Sequence, residues 1–202
     1  MEILFALRWY IVLQLFGLAA LPLTLRLFRR LPGRGYAFAR PLGLLLGGWA
    51  VWILSTLGWL PNTAGATLFA LALVAAAGLA LWLRSGEPLE LPPWQHIVAV
   101  EALLLTAFVG WSLVRAHVPR IETSGGEKWM EIAFINAVLR APRFPPHDPW
   151  LSGFAISYYY FGYVIMAMVI RLVAVPATFG FNLGIATLFA LTCTGAYGLL
   201  YS

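Results

Sequence analysis

The sequence predicts an all-α, polytopic transmembrane helical bundle, and three observations predict it. Of 202 residues, 61% are hydrophobic and only 10% are charged, whereas a soluble domain carries about a quarter charged residues. At a mean hydropathy of +0.84, the chain has too little polar surface to cover a water-facing globule. The apolar residues also come in long runs, and a helix of about 20 residues crosses a hydrocarbon core of about 30 Å. Nothing resembles the alternating strands of a membrane barrel, so helices are the spanning solution that satisfies the backbone in lipid.

Taken in order, the runs predict six spans, at about 3–27, 41–60, 64–83, 95–115, 155–174 and 179–201. Glu2 precedes the first arginine, Arg8, and the first run continues to about Leu25, too long for a cleaved signal. It reads as a retained span. The linker from Arg26 to Arg40 carries five arginines, which the positive-inside rule assigns to the cytoplasm. The turn Pro61-Asn62-Thr63 is then outside, Arg84 to Pro93 inside, and the long segment 116–154 outside. Arg171 and the Val175-Pro176 turn are expected inside again. On this reading the protein is a multi-pass protein of the plasma membrane with its N-terminus outside. The outer loop holds Arg115, Arg120, Lys128, Arg140 and Arg143, nearly balanced by four acids.

Domain organisation follows: four transmembrane helices over 1–116, an extracytoplasmic loop with an interfacial helix over 117–154, and two further helices over 155–202. The final apolar run reaches Tyr201-Ser202 without a charged flank. Such an ending suits the front portion of a longer protein, or a bundle completed by partner helices. Gly43-x-x-x-Gly47 and Gly180-x-x-x-Gly184 are spacings that let helix backbones approach closely. Cys193 is the single cysteine and lies in an apolar run, which excludes a disulfide or a multi-cysteine metal site. The net charge of +5 comes from twelve arginines and one lysine, several beside apolar runs. That is a membrane-orientation pattern rather than a nucleic-acid stripe.

Candidate chemistry concentrates in the long loop, roughly Arg115 to Tyr160. Loops of this length are usually functional or disordered, and Trp129, Met130, Ile132, Phe134, Ile135, Val138 and Leu139 make this one too apolar for disorder. Its first half predicts a helix from about Gly125 to Arg140, with Ser124-Gly-Gly-Glu127 matching the S-x-x-E capping box. Glu127 and Glu131 share a face, flanked by Phe134 and Val138. Carboxylates among apolar neighbours gain proton affinity, which suits a base or metal ligand. The plainer readings are a cap for Glu127 and an exposed interfacial acid for Glu131. Lys128 could hold a phosphate or pair with a lipid head group.

The second half, Arg140 to Gly153, is stiffened by four prolines around His147-Asp148. A rigid loop places side chains reproducibly, yet aspartate before proline is also an ordinary turn former. Ile156-Ser-Tyr-Tyr-Tyr-Phe-Gly-Tyr163 is expected to open the fifth span, and its tyrosines fit either an interfacial belt or partners inside the bundle. Glu101, about two turns inside the fourth helix, should face protein or a water cavity. His96 and Gln95 are expected at the interface.

Together, Glu127-Lys128-x-x-Glu131-x-Ala133-Phe134-x-Asn136, Phe144-Pro-Pro-x-Asp148-Pro-Trp150-x-x-Gly153 and Tyr158-Tyr-Tyr-Phe-Gly162 resemble the YYY-domain membrane proteins of bacteria and archaea. The linker Arg29-Arg-Leu-Pro-x-Arg-Gly-Tyr-Ala-Phe-Ala-Arg-Pro-Leu-Gly43 resembles them as well. Members are usually longer, with more spans, and usually carry aspartate where this chain has Glu131. Their layout is similar to that of GT-C glycosyltransferases, which move a sugar from a polyprenyl-phosphate carrier to an acceptor outside the membrane. The resemblance implies Glu131 or Glu127 as the catalytic acid, and Asp148 as a second acid or, with Glu131, a ligand of a divalent cation. It implies that Lys128, Arg140, Arg143 and His147 line the substrate site, with the cations on carrier phosphate. Tyr158, Tyr159 and Tyr160 would stack on sugar or lipid. The partners implied are membrane lipid and a lipid-linked sugar donor, with no nucleic acid. Two other classes remain open: a non-enzymatic scaffold or accessory subunit, and a transporter with Glu101 as ion-coupling residue.

Overall fold

The structure is a computed structural model and describes residues 2–86, 88–121, 126–151 and 153–201. Helix α1 (Glu2–Leu27) leads through a linker and a short 3-10 turn (Tyr36–Phe38) into α2 (Ala39–Thr56). Then follow α3 (Ala64–Ser85), α4 (Trp94–His117), α5 (Lys128–Arg140), α6 (Phe161–Val173) and α7 (Ala177–Tyr201). No strand occurs among the described residues, and the expected helical bundle is what forms.

Local chemistry sets the helix limits. Thr63 caps α3 by accepting a hydrogen bond from the Ala66 amide at 3.3 Å, a use of the N-cap hydroxyl on an otherwise unpaired donor. Gly86 ends the same helix at φ 64°, the left-handed conformation that glycine adopts without a Cβ penalty. Small residues set the packing. A Cβ on Gly43 would lie 2.0 Å from the Phe16 carbonyl oxygen, so α1 and α2 meet backbone to backbone. Trp9, Leu13, Phe16 and Ala20 recur on one face of α1 and are all buried, the spacing of a core-facing helical stripe. At α7, Gly180 and Gly184 admit Ile170 and Met166 of α6. Gly43 is therefore a backbone close-approach site, as the spacing predicted, whereas Gly180 and Gly184 make room for side chains.

Contacts define two ends of the bundle. At the linker end, the last turns of α1 and α3 lie beside the 28–38 linker and residues 88–90 of the connection before α4. At the loop end, the α2–α3 turn at Asn62 meets α5, and Arg115 at the end of α4 donates to Asn182 Oδ1 near the start of α7, at 2.9 Å. His96 at the start of α4 stacks on Tyr197 and Tyr201 at the end of α7, with centroids 5.5 and 4.1 Å apart. So α4 and α7 run antiparallel over their full length.

Among the described residues five helices are long and apolar enough to cross a membrane; α6 is not one of them. The segment expected as a fifth span is instead an extended strap that reaches Tyr160, followed by a helix of 13 residues, roughly 20 Å long. Both ends of α6 sit in the loop-end half of the bundle. Its N-cap, Tyr160, meets Trp52, about one turn inside the end of α2, and Arg171 in its last turn bonds to Asn62. The strap dips in, and the helix runs back toward the loop end. Arg171 and the Val175-Pro176 turn therefore share an end with the Asn62 turn, not with the arginine-rich linker as expected. The chain reverses at Ala174, a non-glycine residue at φ 57°, ahead of Pro176, which cannot continue a helix.

Candidate functional site

The loop is ordered by a clamp built from α3's entry turn and α6. A helix leaves its last carbonyls without internal partners, and here Asn62 and Arg171 supply them. Asn62 Nδ2 donates to the carbonyls of Val138 and Ala141 at 2.8 and 2.9 Å. Arg171 donates to Leu139 O at 3.1 Å and to Asn62 Oδ1 at 2.8 Å. Asn62 N in turn donates to Pro142 O at 2.8 Å. Neither residue was singled out as structural by sequence reasoning. The available signal was an asparagine in a three-residue turn and an arginine with no acid near it in an apolar helix.

Helix α5 starts at Lys128 with Glu127 as N-cap, whose side chain makes no capping bond. Ser124, the other half of the expected capping box, lies outside the described residues. Glu127 is exposed, while Glu131 and Lys128 are half-buried. On the same helix Phe134 is buried and forms the hub of an aromatic cluster. Its ring centroid lies 5.4 Å from Trp150, 5.7 Å from Tyr158 and 5.5 Å from Tyr163. The hydroxyl of Tyr163 has its pKa pushed up, first by burial and then by the nearby charges of Glu131, Tyr158 and Glu127. Glu131 lies one turn before Phe134 on α5, at the edge of this aromatic basin.

The proline strap closes on itself. Ile156 N donates to Pro146 O at 3.0 Å and Asp148 N to Phe154 O at 2.9 Å, flanking an isolated bridge of His147 with Ala155. Asp148 Oδ1 accepts from the amides of Trp150 and Leu151 at 2.8 and 2.9 Å. This is the turn-forming use of aspartate before proline, and it commits one carboxylate oxygen to the backbone. No group of three His, Cys, Asp or Glu side chains that could hold a metal ion occurs among the described residues.

The three tyrosines precede α6 and have separate fates. Tyr158 packs on Phe134 and Tyr159, Tyr159 is 87% exposed, and the Tyr160 hydroxyl accepts from Trp52 Nε1 at 2.8 Å. Because Trp52 lies within α2, the strap descends along the bundle and carries Tyr158 and Tyr159 with it. Trp129, Trp150 and Phe154 are also exposed, a distribution suited to the boundary between water and hydrocarbon. Arg140, Arg143 and His147 are exposed around this rim.

A second polar constellation lies inside the bundle, toward the linker end. Glu101 on α4 faces protein, as expected for an acid at that depth. It pairs with Arg40 and accepts from Tyr36 Oη at 2.7 Å and Gln14 Nε2 at 3.1 Å. Arg40 also donates through Nε to Gln14 Oε1 at 2.9 Å. Arg40 is only 4% exposed, so it is an interior residue, not part of the basic flank to which the linker pattern assigned it. His96, expected at the interface, is likewise buried, whereas Gln95 beside it is exposed.

Five apolar helices of spanning length, a buried ion pair among them and an ordered loop clamped on one end together define a polytopic integral membrane protein. A family model described as "Uncharacterized membrane protein (DUF2298)" matches residues 46–202, and the chain belongs to that family. No curated protein and no solved structure matches the chain.

Proposed function

We propose that this is a GT-C-like membrane glycosyltransferase of the YYY-domain type, acting at the loop end. The observation that carries the reading is the position of Glu131: a half-buried carboxylate one turn before Phe134 on α5, at the edge of the aromatic basin where Tyr158 and Tyr163 pack on that ring. A lipid-linked donor presents its sugar phosphate there. In this scheme the acceptor hydroxyl oxygen attacks the anomeric carbon as Glu131 takes its proton. The carbon–oxygen bond to phosphate breaks, and polyprenyl phosphate leaves. A base within hydrogen-bond reach and positive charge on the departing phosphate are the chemical requirements. Lys128, Arg140 and Arg143 supply the charge, and Tyr158 and Tyr159 are stacking surfaces for sugar or lipid. Glu127, at the exposed start of α5, is the weaker candidate base. Asp148 is a positioning residue, since its carboxylate holds the turn. The arginine-bearing linker end is assigned to the cytoplasm and the loop to the outside of the plasma membrane.

The test uses the full chain in membrane vesicles with a polyprenyl-phosphate sugar as donor. Glu131→Gln is expected to lower transfer by about 10²–10⁴-fold, the usual contribution of a general base, with unchanged membrane insertion. Asp148→Asn, whose amide oxygen can still accept both backbone bonds, is expected to retain most activity. Full activity in Glu131→Gln would remove the assignment.

The alternative is a non-enzymatic scaffold or accessory subunit. It is favoured by the engagement of Asp148 in its own turn and by the exposure of Trp129, Trp150 and Phe154. The transporter reading ranks third, because Glu101 is already held by Arg40, Tyr36 and Gln14.

A further inference from the structure

The linker end carries a feature that the loop-end reading does not use. Between the last turns of α1 and α3 and the connection before α4 lies an open cleft of about 380 Å³, lined by Arg26, Arg29, Arg30, Arg34 and Trp82. Glu90 is the one described acid in its wall, and it is paired with Arg34. A second cleft shares Arg26 and Arg29, adds Arg84, and continues down between Leu23 and Leu27 of α1 and Leu81 of α3. Leu27, Leu81 and Leu83 are exposed on the outside of the bundle, where hydrocarbon would lie.

The charge balance favours an anion. Five arginines line the two clefts with Glu90, and counting Glu87 from the sequence of the same connection leaves three positive charges. Two helix C-termini point at the cleft and offset about one of these, at roughly half a charge each. About two remain, enough for one phosphodiester or phosphomonoester. Guanidinium groups suit phosphate oxygens by their fork geometry. The apolar continuation between α1 and α3 selects among phosphate sources: a free ion has no use for it, and an acyl chain does. Basic pockets between spanning helices are the general form of an anionic head-group site.

We propose that the cleft between the C-terminal turns of α1 and α3 binds the phosphate of an anionic phospholipid from the surrounding leaflet, with the lipid's acyl chain lying along Leu23, Leu27 and Leu81. The site is independent of any activity at the loop end. The purified full chain, exchanged into phosphatidylcholine nanodiscs, is titrated with phosphatidylglycerol while thermal unfolding is followed and bound lipid is counted by native mass spectrometry. A saturable upward shift of the melting temperature with phosphatidylglycerol is expected, together with retention of one such lipid. In Arg29→Gln/Arg30→Gln, two exposed positions, binding is expected to weaken roughly 30-fold, at the usual contribution of one arginine near an anionic surface. The melting temperature in phosphatidylcholine alone should be unchanged. Arg140→Gln/Arg143→Gln, at the other end, should keep the full shift. Equal shifts with phosphatidylcholine and phosphatidylglycerol would overturn the proposal. So would an undiminished response in the linker variant, or an equal loss in the loop-end variant. An equal shift produced by inorganic phosphate, competing with the lipid, would reassign the cleft to the free ion and equally overturn it.

Discussion

Arg40 stands at the start of α2, where an arginine following a basic linker would ordinarily reach back to water. Instead it is buried and shares Glu101 with Tyr36 and Gln14, so four segments (α1, the 3-10 turn, α2 and α4) converge on one carboxylate. Removing one member of a buried pair leaves an uncompensated charge, at about 3–5 kcal/mol in well-enclosed cases. Glu101 keeps some exposure, so the lower end of that range is expected for Glu101→Gln, measured as thermal unfolding in detergent. Arg40→Met/Glu101→Leu should lose less than the sum of its two single variants, and strict additivity would show that the pair is not coupled. The sequence made Glu101 visible because one acid in an apolar run must face something other than lipid. It hid Arg40, because an arginine at a helix entrance has the same composition signature whether it points into water or into the bundle. Asp148 is a related case: aspartate before proline carries the same signature whether it forms a turn or does chemistry, and its two backbone bonds show the turn without bearing on the chemistry.

At the scale of elements, the two small-residue spacings make different predictions. The obstacle to a side chain at Gly43 is the Phe16 carbonyl at 2.0 Å, which is backbone and cannot step aside. The obstacle at Gly184 is the terminal methyl and sulfur of Met166, the end of a flexible chain. Gly43→Ala is therefore expected to separate α1 from α2 and to cost several times what Gly184→Ala costs, each followed by thermal unfolding. Comparable losses at the two sites would mean that the α1–α2 approach is looser than described. Packing of this kind was legible from spacing alone. The nature of α6 was not. Ile156 to Tyr160 carries four hydroxyls but no charge, so the apolar run behind it brings a window over 155–174 up to a span although its first part is an extended strap. Hydropathy measures the transfer of side chains into lipid; it carries no information on the direction in which the backbone then runs.

For the whole molecule, composition fixed the class and long apolar runs fixed five of its helices, whereas the order of the loop came from contacts far apart in sequence. Asn62 and Arg171 reach the end of α5 across separations of 76 and 32 residues, distances over which no local pattern operates. Their arrangement makes a direct prediction about sidedness. In a Cys193→Ser background, Pro61→Cys and Pro176→Cys should be labelled by a membrane-impermeant maleimide from the same side, and Arg30→Cys from the other. Labelling of Pro176→Cys together with Arg30→Cys would restore a six-span arrangement.

The turned-back α6 has one more consequence. With it removed, five helices of spanning length remain among the described residues, and if each crosses once, Glu2 and Tyr201 open into different compartments. An epitope placed before Glu2 and one placed after Tyr201 would then meet different pH and opposite poles of the membrane potential. Antibody added to intact cells would reach just one of the two.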